Sequence, residues 1–153
     1  MITAWRLVKA RLANRAFTGE GAKLYGGRWN SSGSPVVYTS ATASLAVLEV
    51  FANISKGELL AAYMLIACEF DEGLVERVSA DNLPKTWRSS PGPPELEVIG
   101  DEWLNSQRSA ILEVPSAIIE RERNFLLNPL HADFKLVRRL RPEPFRFDLR
   151  LLK

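Results

Sequence analysis

Three polar side chains with distinct chemistry lie close together in the sequence, between residues 26 and 49. Arg28 follows two glycines in GGRWN, Tyr38 lies in the apolar run VVYTS, and Glu49 interrupts the apolar stretch ASLAVLEVF. An arginine can bind phosphate oxygens through two N–H groups at once. A tyrosine ring can stack on a nucleobase or a cationic pyridinium ring. A carboxylate in apolar surroundings needs a cation or several hydrogen-bond donors.

Glu49 is the only charged residue between Ala41 and Ala52. A helix that is apolar nearly all round is typical of a buried helix, so one interpretation is a buried carboxylate with a partner. Residues four apart lie on one face of a helix. Glu49 can therefore instead share a narrow solvent-exposed stripe with Asn53 and Lys56, and the helix pattern alone leaves both interpretations open.

Arg28 and Tyr38 also have structural interpretations. Gly27 and its neighbour carry no Cβ and would let the backbone approach a ligand. The GGR stretch nevertheless lacks the spacing of a Walker or dinucleotide-binding phosphate loop, so a solvated arginine in a hairpin turn is the alternative. For Tyr38 the alternative is a ring that packs in the core with its hydroxyl bonded nearby.

The other candidates for chemistry are Ser116, His131 and Cys68. Ser116 opens an apolar strand, and a serine hydrolase would need a GxSxG turn and a triad that the sequence does not show. His131 lies in a turn-like stretch, NPLHAD, with a general-base role as the alternative. Cys68, in an apolar run, is expected to be buried and inert. One histidine and one cysteine cannot assemble a His/Cys metal site.

The composition is that of an ordinary globular domain. The 153 residues are 46% hydrophobic and 25% charged, which favours a single domain over residues 1–153 with a proper core. A net charge of only +2 weakens an interpretation as a nucleic-acid-binding protein. No signal peptide or membrane-length apolar run is evident, so a soluble, cytoplasmic protein is expected.

The elements that must hold the candidate residues are short strands and a few helices, which indicates the α+β class. Helices are predicted over 40–57, with Ser40 or Thr42 as N-cap, and over 94–107, with Gly100 as a weak point. Residues 11–27, 88–95 and 124–133 are predicted to be loops or connectors. The predicted strands are 3–9, 36–40, 58–70, 74–79, 109–119, 134–140 and 145–152.

Several segments in this order resemble the RES-domain family of bacterial toxins, which is named for arginine, glutamate and serine. The resemblance runs from about residue 4 to the C-terminus, and it is densest over residues 22–50 and 114–134. The segments that carry it are WRLV, GAKLYGGRWNSSGSPVVYTSATASLAVLEVF, LPKTW, GDEWL, VPSAIIERERNFLLNPLHADF and FRFDLRLL.

The resemblance implies a fold like that of ADP-ribosyltransferase toxins, with two packed, mainly antiparallel sheets and flanking helices. It also implies the toxin of a toxin–antitoxin pair that consumes NAD as a substrate, splitting the nicotinamide–ribose bond by hydrolysis or phosphorolysis. The implied partner is an Xre-type antitoxin with a helix-turn-helix domain, whose C-terminal part covers the active site. No cofactor, direct nucleic-acid partner or membrane is implied.

Carried over residue by residue, the resemblance implies three catalytic residues, Arg28, Tyr38 and Glu49. The implied substrate-binding residues are Arg6, Gly27, Ser116 and Asn124. Asn128 and His131 match the N-x-L-x-N-P-x-H pattern of the family and are expected to be architectural.

The chemistry implied by the resemblance passes through positive charge on the ribose, while nicotinamide departs neutral and needs no general acid. Arg28, assisted by Arg6, would hold phosphate oxygens, Tyr38 would stack on the nicotinamide side, and Glu49 would stabilise the cationic transition state. Ser116 would hydrogen-bond either the ribose or Glu49. Without ligand, an Arg28–Glu49 contact is expected.

Three other functions remain as alternatives to NAD hydrolysis or phosphorolysis. A mono-ADP-ribosyltransferase would break the same bond and transfer the ribosyl unit to a macromolecule, and no sequence feature separates it from a glycohydrolase. A non-catalytic module would bind nucleic acid or a partner protein without NAD turnover. A serine hydrolase using Ser116 is the third.

Overall fold

Eight strands form one sheet in the computed structural model, which describes residues 1–153. The strands run in the spatial order β4-β5-β6-β2-β1-β3-β7, and β8 also pairs with β3. Every strand pair is antiparallel except β4–β5. The strands are β1 (Ile2–Lys9), β2 (Val37–Ser40), β3 (Tyr63–Phe70), β4 (Val75–Arg77), β5 (Ile111–Pro115), β6 (Arg123–Leu127), β7 (Arg138–Arg139) and β8 (Glu143–Phe145).

Three α-helices accompany the sheet: α1 (Glu20–Tyr25), α2 (Ala43–Phe51) and α3 (Pro94–Ser106). Short 3-10 helices complete the connections, at Ala10–Arg15, Lys56–Leu60, Glu72–Leu74, Ala80–Asn82, Ala132–Leu136 and Leu149–Leu152. No helix is both long enough and apolar enough to span a membrane. The α+β class predicted from the sequence is confirmed.

The sheet is nearly divided between β1 and β2, which pair at one position only, Trp5 with Ser40. By contrast, β1 pairs with β3 along all eight of its residues, and β2 pairs with β6 along all four. Beyond the single pair, Nη1 of Arg6 donates to the carbonyl oxygen of Tyr38 at 2.9 Å. The expected two packed sheets are therefore corrected to one curled mixed sheet with a seam between β1 and β2.

Apolar side chains on the two faces of the sheet enter different clusters, as alternation along a strand requires. Ile111 and Leu127 belong to one buried cluster, while their sequence neighbours Leu112 and Leu126 belong to another. The second cluster also contains Leu96, Trp103 and Leu104 of α3. In a third cluster, Val47, Val50 and Phe51 of α2 pack around Leu7, Tyr63 and Phe147. The clusters hold α2 and α3 against the sheet.

The predicted connector over 124–133 is wrong, because its first part is β6, a central strand. β6 pairs with β2 on one side and β5 on the other, and Phe125, Leu126 and Leu127 are buried as a continuous apolar run. Such a run is typical of a strand covered on both faces. The turn signal of Asn128 and Pro129 begins only after the strand ends.

Several predicted boundaries also change. Helix α2 begins after Thr42, whose side-chain oxygen accepts from the Leu45 N–H at 3.0 Å, and it ends at Phe51 rather than near Gly57. Residues 11–27, predicted as a loop, include a 3-10 helix and α1. The predicted strand over 145–152 is mostly wrong, because Leu149–Leu152 is a 3-10 helix.

Gly100 lies within α3 without interrupting it. A Cβ at this position would lie 1.6 Å from the carbonyl oxygen of Trp29. The glycine therefore allows the helix to pack directly on the backbone that follows Arg28, and the position predicted as a weak point is a packing contact.

Candidate active site

A cleft of about 950 Å³ lies at the seam between β1 and β2. Its volume is at the upper end of the range typical of small-molecule sites, about 300–1,000 Å³. Ser116 is fully buried behind the wall rather than in it. The other predicted site residues all border the cleft: Arg6, Gly27, Arg28, Tyr38, Glu49 and Asn124. The fold thus brings together residues that are up to 118 positions apart, from Arg6 to Asn124.

The Glu49 carboxylate is held by two neutral donors. Its Oε1 accepts hydrogen bonds from Ser116 Oγ at 3.0 Å and from Asn124 Nδ2 at 3.1 Å. No protein donor reaches Oε2, and no ion pair with a basic side chain forms within 4.0 Å. The expected contact between Arg28 and Glu49 is therefore wrong, because Ser116 and Asn124 supply the partners that the carboxylate needs.

Ser116 acts on Glu49 from behind the cleft wall. Its hydroxyl oxygen accepts from the backbone N–H groups of Ile118 and Ile119, each at 3.1 Å, and its proton points to Glu49. These bonds fix the direction of the hydroxyl. Two hydrogen-bond partners were predicted for Ser116, the ribose or Glu49, and in the structure its hydroxyl bonds to Glu49.

Arg28 is anchored at one end of its guanidinium. Nη1 donates to the carbonyl oxygens of Trp87 and Ser89, both at 3.0 Å. Nε and Nη2 donate to no protein atom, so the opposite edge of the fork is open to a ligand in the cleft. A Cβ on Gly92 would lie 2.7 Å from Nη1, so this glycine leaves room for the anchored arginine.

Arg6 is a half-buried cation with little hydrogen bonding. Its single protein partner is the Tyr38 carbonyl oxygen, and its Nε is buried without a partner. Burial lowers the pKa of Arg6 to about 10, so the side chain stays protonated at neutral pH. A partly desolvated cation with an unused, buried N–H is costly, and an anionic ligand would offset that cost.

Tyr38 fixes the GGRWN turn to β2. Its hydroxyl donates to Asn30 Oδ1 at 2.6 Å and accepts from the Trp29 N–H at 3.1 Å. Burial raises the pKa of Tyr38 above its ordinary value, so the phenol is neutral. A Cβ on Gly27 would lie 2.6 Å from the Tyr38 hydroxyl oxygen. The turn therefore needs glycine at 27 to close over the ring.

Sequence reasoning missed Trp5, Asn30 and Arg88. Trp5 borders the cleft at the seam, although its type alone suggests core or rim. Asn30 is fully buried, and its Nδ2 donates to the carbonyl oxygens of Ala22 and Ser31, each at 3.0 Å. Its place in a glycine-rich turn was the available signal.

Arg88 also borders the cleft, in the proline-rich loop. Its side chain donates to the Ala117 carbonyl oxygen at 3.2 Å and pairs with Glu120 at 3.1 Å. It therefore connects the loop anchored by Arg28 to the loop that follows Ser116.

His131 lies outside the cleft. Nδ1 accepts from the Asp133 N–H at 3.0 Å, which caps the 3-10 helix Ala132–Leu136. Nε2 lies 2.9 Å from the Gln107 carbonyl oxygen and must donate to it, because Nδ1 is already an acceptor. The general-base alternative receives no support, and His131 links the end of α3 to the chain after β6.

His131→Ala is expected to lower the free energy of unfolding by about 1–2 kcal/mol, because a helix cap and a second hydrogen bond are lost. Urea unfolding followed by circular dichroism measures the change. A variant as stable as the wild type would contradict the architectural role.

Comparison with known proteins identifies relatives of this chain. A relative in Photorhabdus laumondii named Toxin Res is 39% identical over 151 residues, covering 97% of this chain and 96% of the relative. Another Toxin Res, in Yersinia enterocolitica, is 37% identical over 148 residues, with 96% and 97% covered. A Sphingobium protein named Prs ADP-ribosylating toxin is 34% identical over 154 residues, with 97% and 96% covered.

A solved structure, the Mycobacterium tuberculosis MbcT–MbcA toxin–antitoxin complex, contains a chain with the same fold. The TM-score is 0.79 at 18% identity, covering 95% of this chain and 84% of that one. The sequence profile of the RES domain matches residues 3–148. With this match and relatives near 38% identity over almost the full length, the chain belongs to the RES domain family.

Proposed function

We propose that this protein is the toxin of a toxin–antitoxin pair and that it depletes NAD by cleaving the nicotinamide–ribose bond. The observation that carries the proposal is the Glu49 carboxylate, which two donors hold at Oε1 while Oε2 remains without a protein partner beside a large cleft. The relatives named Toxin Res support the toxin role.

The reaction needs a fixed negative charge more than it needs an acid. When the bond from ribose to nicotinamide breaks, the bonding electrons neutralise the pyridinium, and positive charge develops on the ribose. A preorganised carboxylate stabilises that charge without having to reorganise. Water then adds to the anomeric carbon and loses a proton, which gives ADP-ribose; inorganic phosphate as acceptor gives the phosphorylated sugar.

The two arginines suit the pyrophosphate of the dinucleotide. Arg28 is held by two carbonyl oxygens at Nη1 and keeps Nε and Nη2 available, so little side-chain entropy is lost on binding. Arg6 supplies a second, half-buried positive charge from across the seam. Tyr38 also borders the cleft, and we place the nicotinamide end of the substrate beside it.

Arg28→Lys is expected to lower kcat/KM for NAD about 10- to 100-fold. Lysine keeps the charge, but it cannot bind two carbonyls and still present a planar fork to phosphate. Steady-state NAD loss measures the effect. Arg121→Lys, a change of the same kind at an exposed position, should keep wild-type kinetics. Equal activity of Arg28→Lys and wild type would remove Arg28 from the site.

Transfer of ADP-ribose to a macromolecule is the second candidate, favoured by the relative named Prs ADP-ribosylating toxin. NAD labelled on the adenylate part, incubated with purified protein and cell lysate, separates the two reactions. Free labelled ADP-ribose or its phosphate supports glycohydrolase or phosphorylase activity. Label retained on protein or nucleic acid supports transfer. Unchanged NAD, both with the purified protein alone and with the protein plus lysate, contradicts the proposal.

The proposed partner is an Xre-type helix-turn-helix antitoxin whose C-terminal part covers the cleft, with the toxin acting in the cytoplasm. The related fold was solved as a toxin–antitoxin complex, which supports an antitoxin partner. Co-expression of a neighbouring helix-turn-helix gene should restore both growth and cellular NAD. Restored growth with NAD still depleted would contradict a block at the active site.

A further inference from the structure

We propose that Ser40 is a positioning residue that acts on Glu49 through Asn124. The inference rests on the proposed function, since it concerns how the Glu49 carboxylate is kept in place for the reaction. It also changes the role of Asn124, from a residue that binds substrate to one that holds the carboxylate.

Ser40 and Asn124 form a partly buried link between two central strands. Ser40 ends β2 and is only 3% exposed, and it is the register partner of Asn124 in β6. Ser40 Oγ donates to Asn124 Oδ1 at 2.7 Å, and Asn124 Nδ2 donates to Glu49 Oε1 at 3.1 Å. The strand pairing therefore fixes the backbone at both ends of the Ser40–Asn124 bond.

The donors and acceptors in these two hydrogen bonds can be assigned in only one way. An ionised carboxylate accepts hydrogen bonds but donates none, so the amide NH₂ of Asn124 must face Glu49. The amide carbonyl must then face Ser40, whose hydroxyl supplies the proton. Without that hydroxyl, the amide loses the partner that holds its orientation, and the carboxylate keeps only Ser116 as a fixed donor. The carboxylate can then shift from its position, and the reaction rate is sensitive to small displacements of a group that stabilises the transition state.

The experiment measures NAD cleavage for Ser40→Ala, Asn124→Ala and the double variant. Ser40→Ala is expected to lower kcat about three- to tenfold, the value of one hydrogen bond, with KM unchanged. In the Asn124→Ala background, Ser40→Ala should cause no further loss, because its effect passes through Asn124.

Ser109→Ala is the matched control. Its hydroxyl also pairs with a side chain, accepting from Trp103 Nε1 at 2.9 Å, but it lies outside the cleft. This variant should lose stability and keep both kcat and KM.

Independent, multiplicative losses in the double variant would overturn the proposal, as would wild-type kcat in Ser40→Ala. A raised KM with unchanged kcat would also overturn it, since that result indicates substrate contact. If the wild type consumes no NAD, the proposed function fails separately. Urea unfolding of the wild type, Ser40→Ala, Asn124→Ala and the double variant then tests the Ser40–Asn124 hydrogen bond. A loss of stability in the double variant smaller than the sum of the two single losses supports the bond, and a loss equal to that sum overturns it.

Discussion

Glu49→Gln is expected to slow NAD cleavage by about two to three orders of magnitude, the cost of removing one preorganised electrostatic partner of the transition state. Glutamine has the same shape as glutamate, and its amide oxygen can still accept from Ser116 and Asn124, which hold Oε1 in the wild type. The variant therefore keeps the geometry and removes the negative charge. A large loss of rate would identify charge, rather than packing, as the contribution of Glu49.

The measurement is the initial rate of NAD loss with purified protein, together with cellular NAD after induction. Glu95→Gln is the matched control, since it makes the same change at an exposed position of α3. Glu95→Gln should match the wild type. A Glu49→Gln protein that is folded and cleaves NAD within a fewfold of the wild-type rate would refute the assigned role.

Gly100→Ala is expected to lower the free energy of unfolding by roughly 3 kcal/mol or more, in the range of severe overpacking. Helix propensity alone predicts the opposite sign, since alanine is favoured over glycine by about 1 kcal/mol within a helix. The tertiary contact decides, because the added Cβ would lie 1.6 Å from the Trp29 carbonyl oxygen. Either α3 or the backbone after Arg28 must move.

Urea unfolding at constant m-value measures this change. Gly21→Ala is the matched control, because Gly21 is also helical and nothing lies within 4 Å of the position its Cβ would take. That variant should be as stable as the wild type or slightly more stable. A Gly100→Ala protein of equal or higher stability would show that α3 does not press on Trp29.

Local patterns were sufficient for the elements that carry most of the candidate site. The run ASLAVLEVF has the apolar content of a helix packed against the core, and α2 begins after Thr42, one of the two predicted N-caps. The β-favouring residues of β1 and β2 were also placed within a few positions of their true ends. These features depend on neighbours in the sequence, which the sequence displays directly.

Sequence patterns gave the wrong secondary structure for a short apolar run that could be either a strand or part of a connector. Residues 124–127 lie beside a strong turn signal and were assigned to a connector, yet they form the strand between β2 and β5. A run buried on both faces shows no alternation, so its period does not identify it as a strand. Its environment, not its own sequence, makes it one.

The residue types of the candidate site could be chosen from the sequence through the family resemblance, and all of them lie in or directly behind one cleft. Their partners could not be chosen. Glu49 has its donors 67 and 75 residues away, in Ser116 and Asn124, while Arg28 binds backbone carbonyls rather than Glu49. The sequence determined which groups are available, because chemical type is local. The tertiary structure alone decided which groups meet, because hydrogen-bond partners depend on distances that only the folded sheet sets.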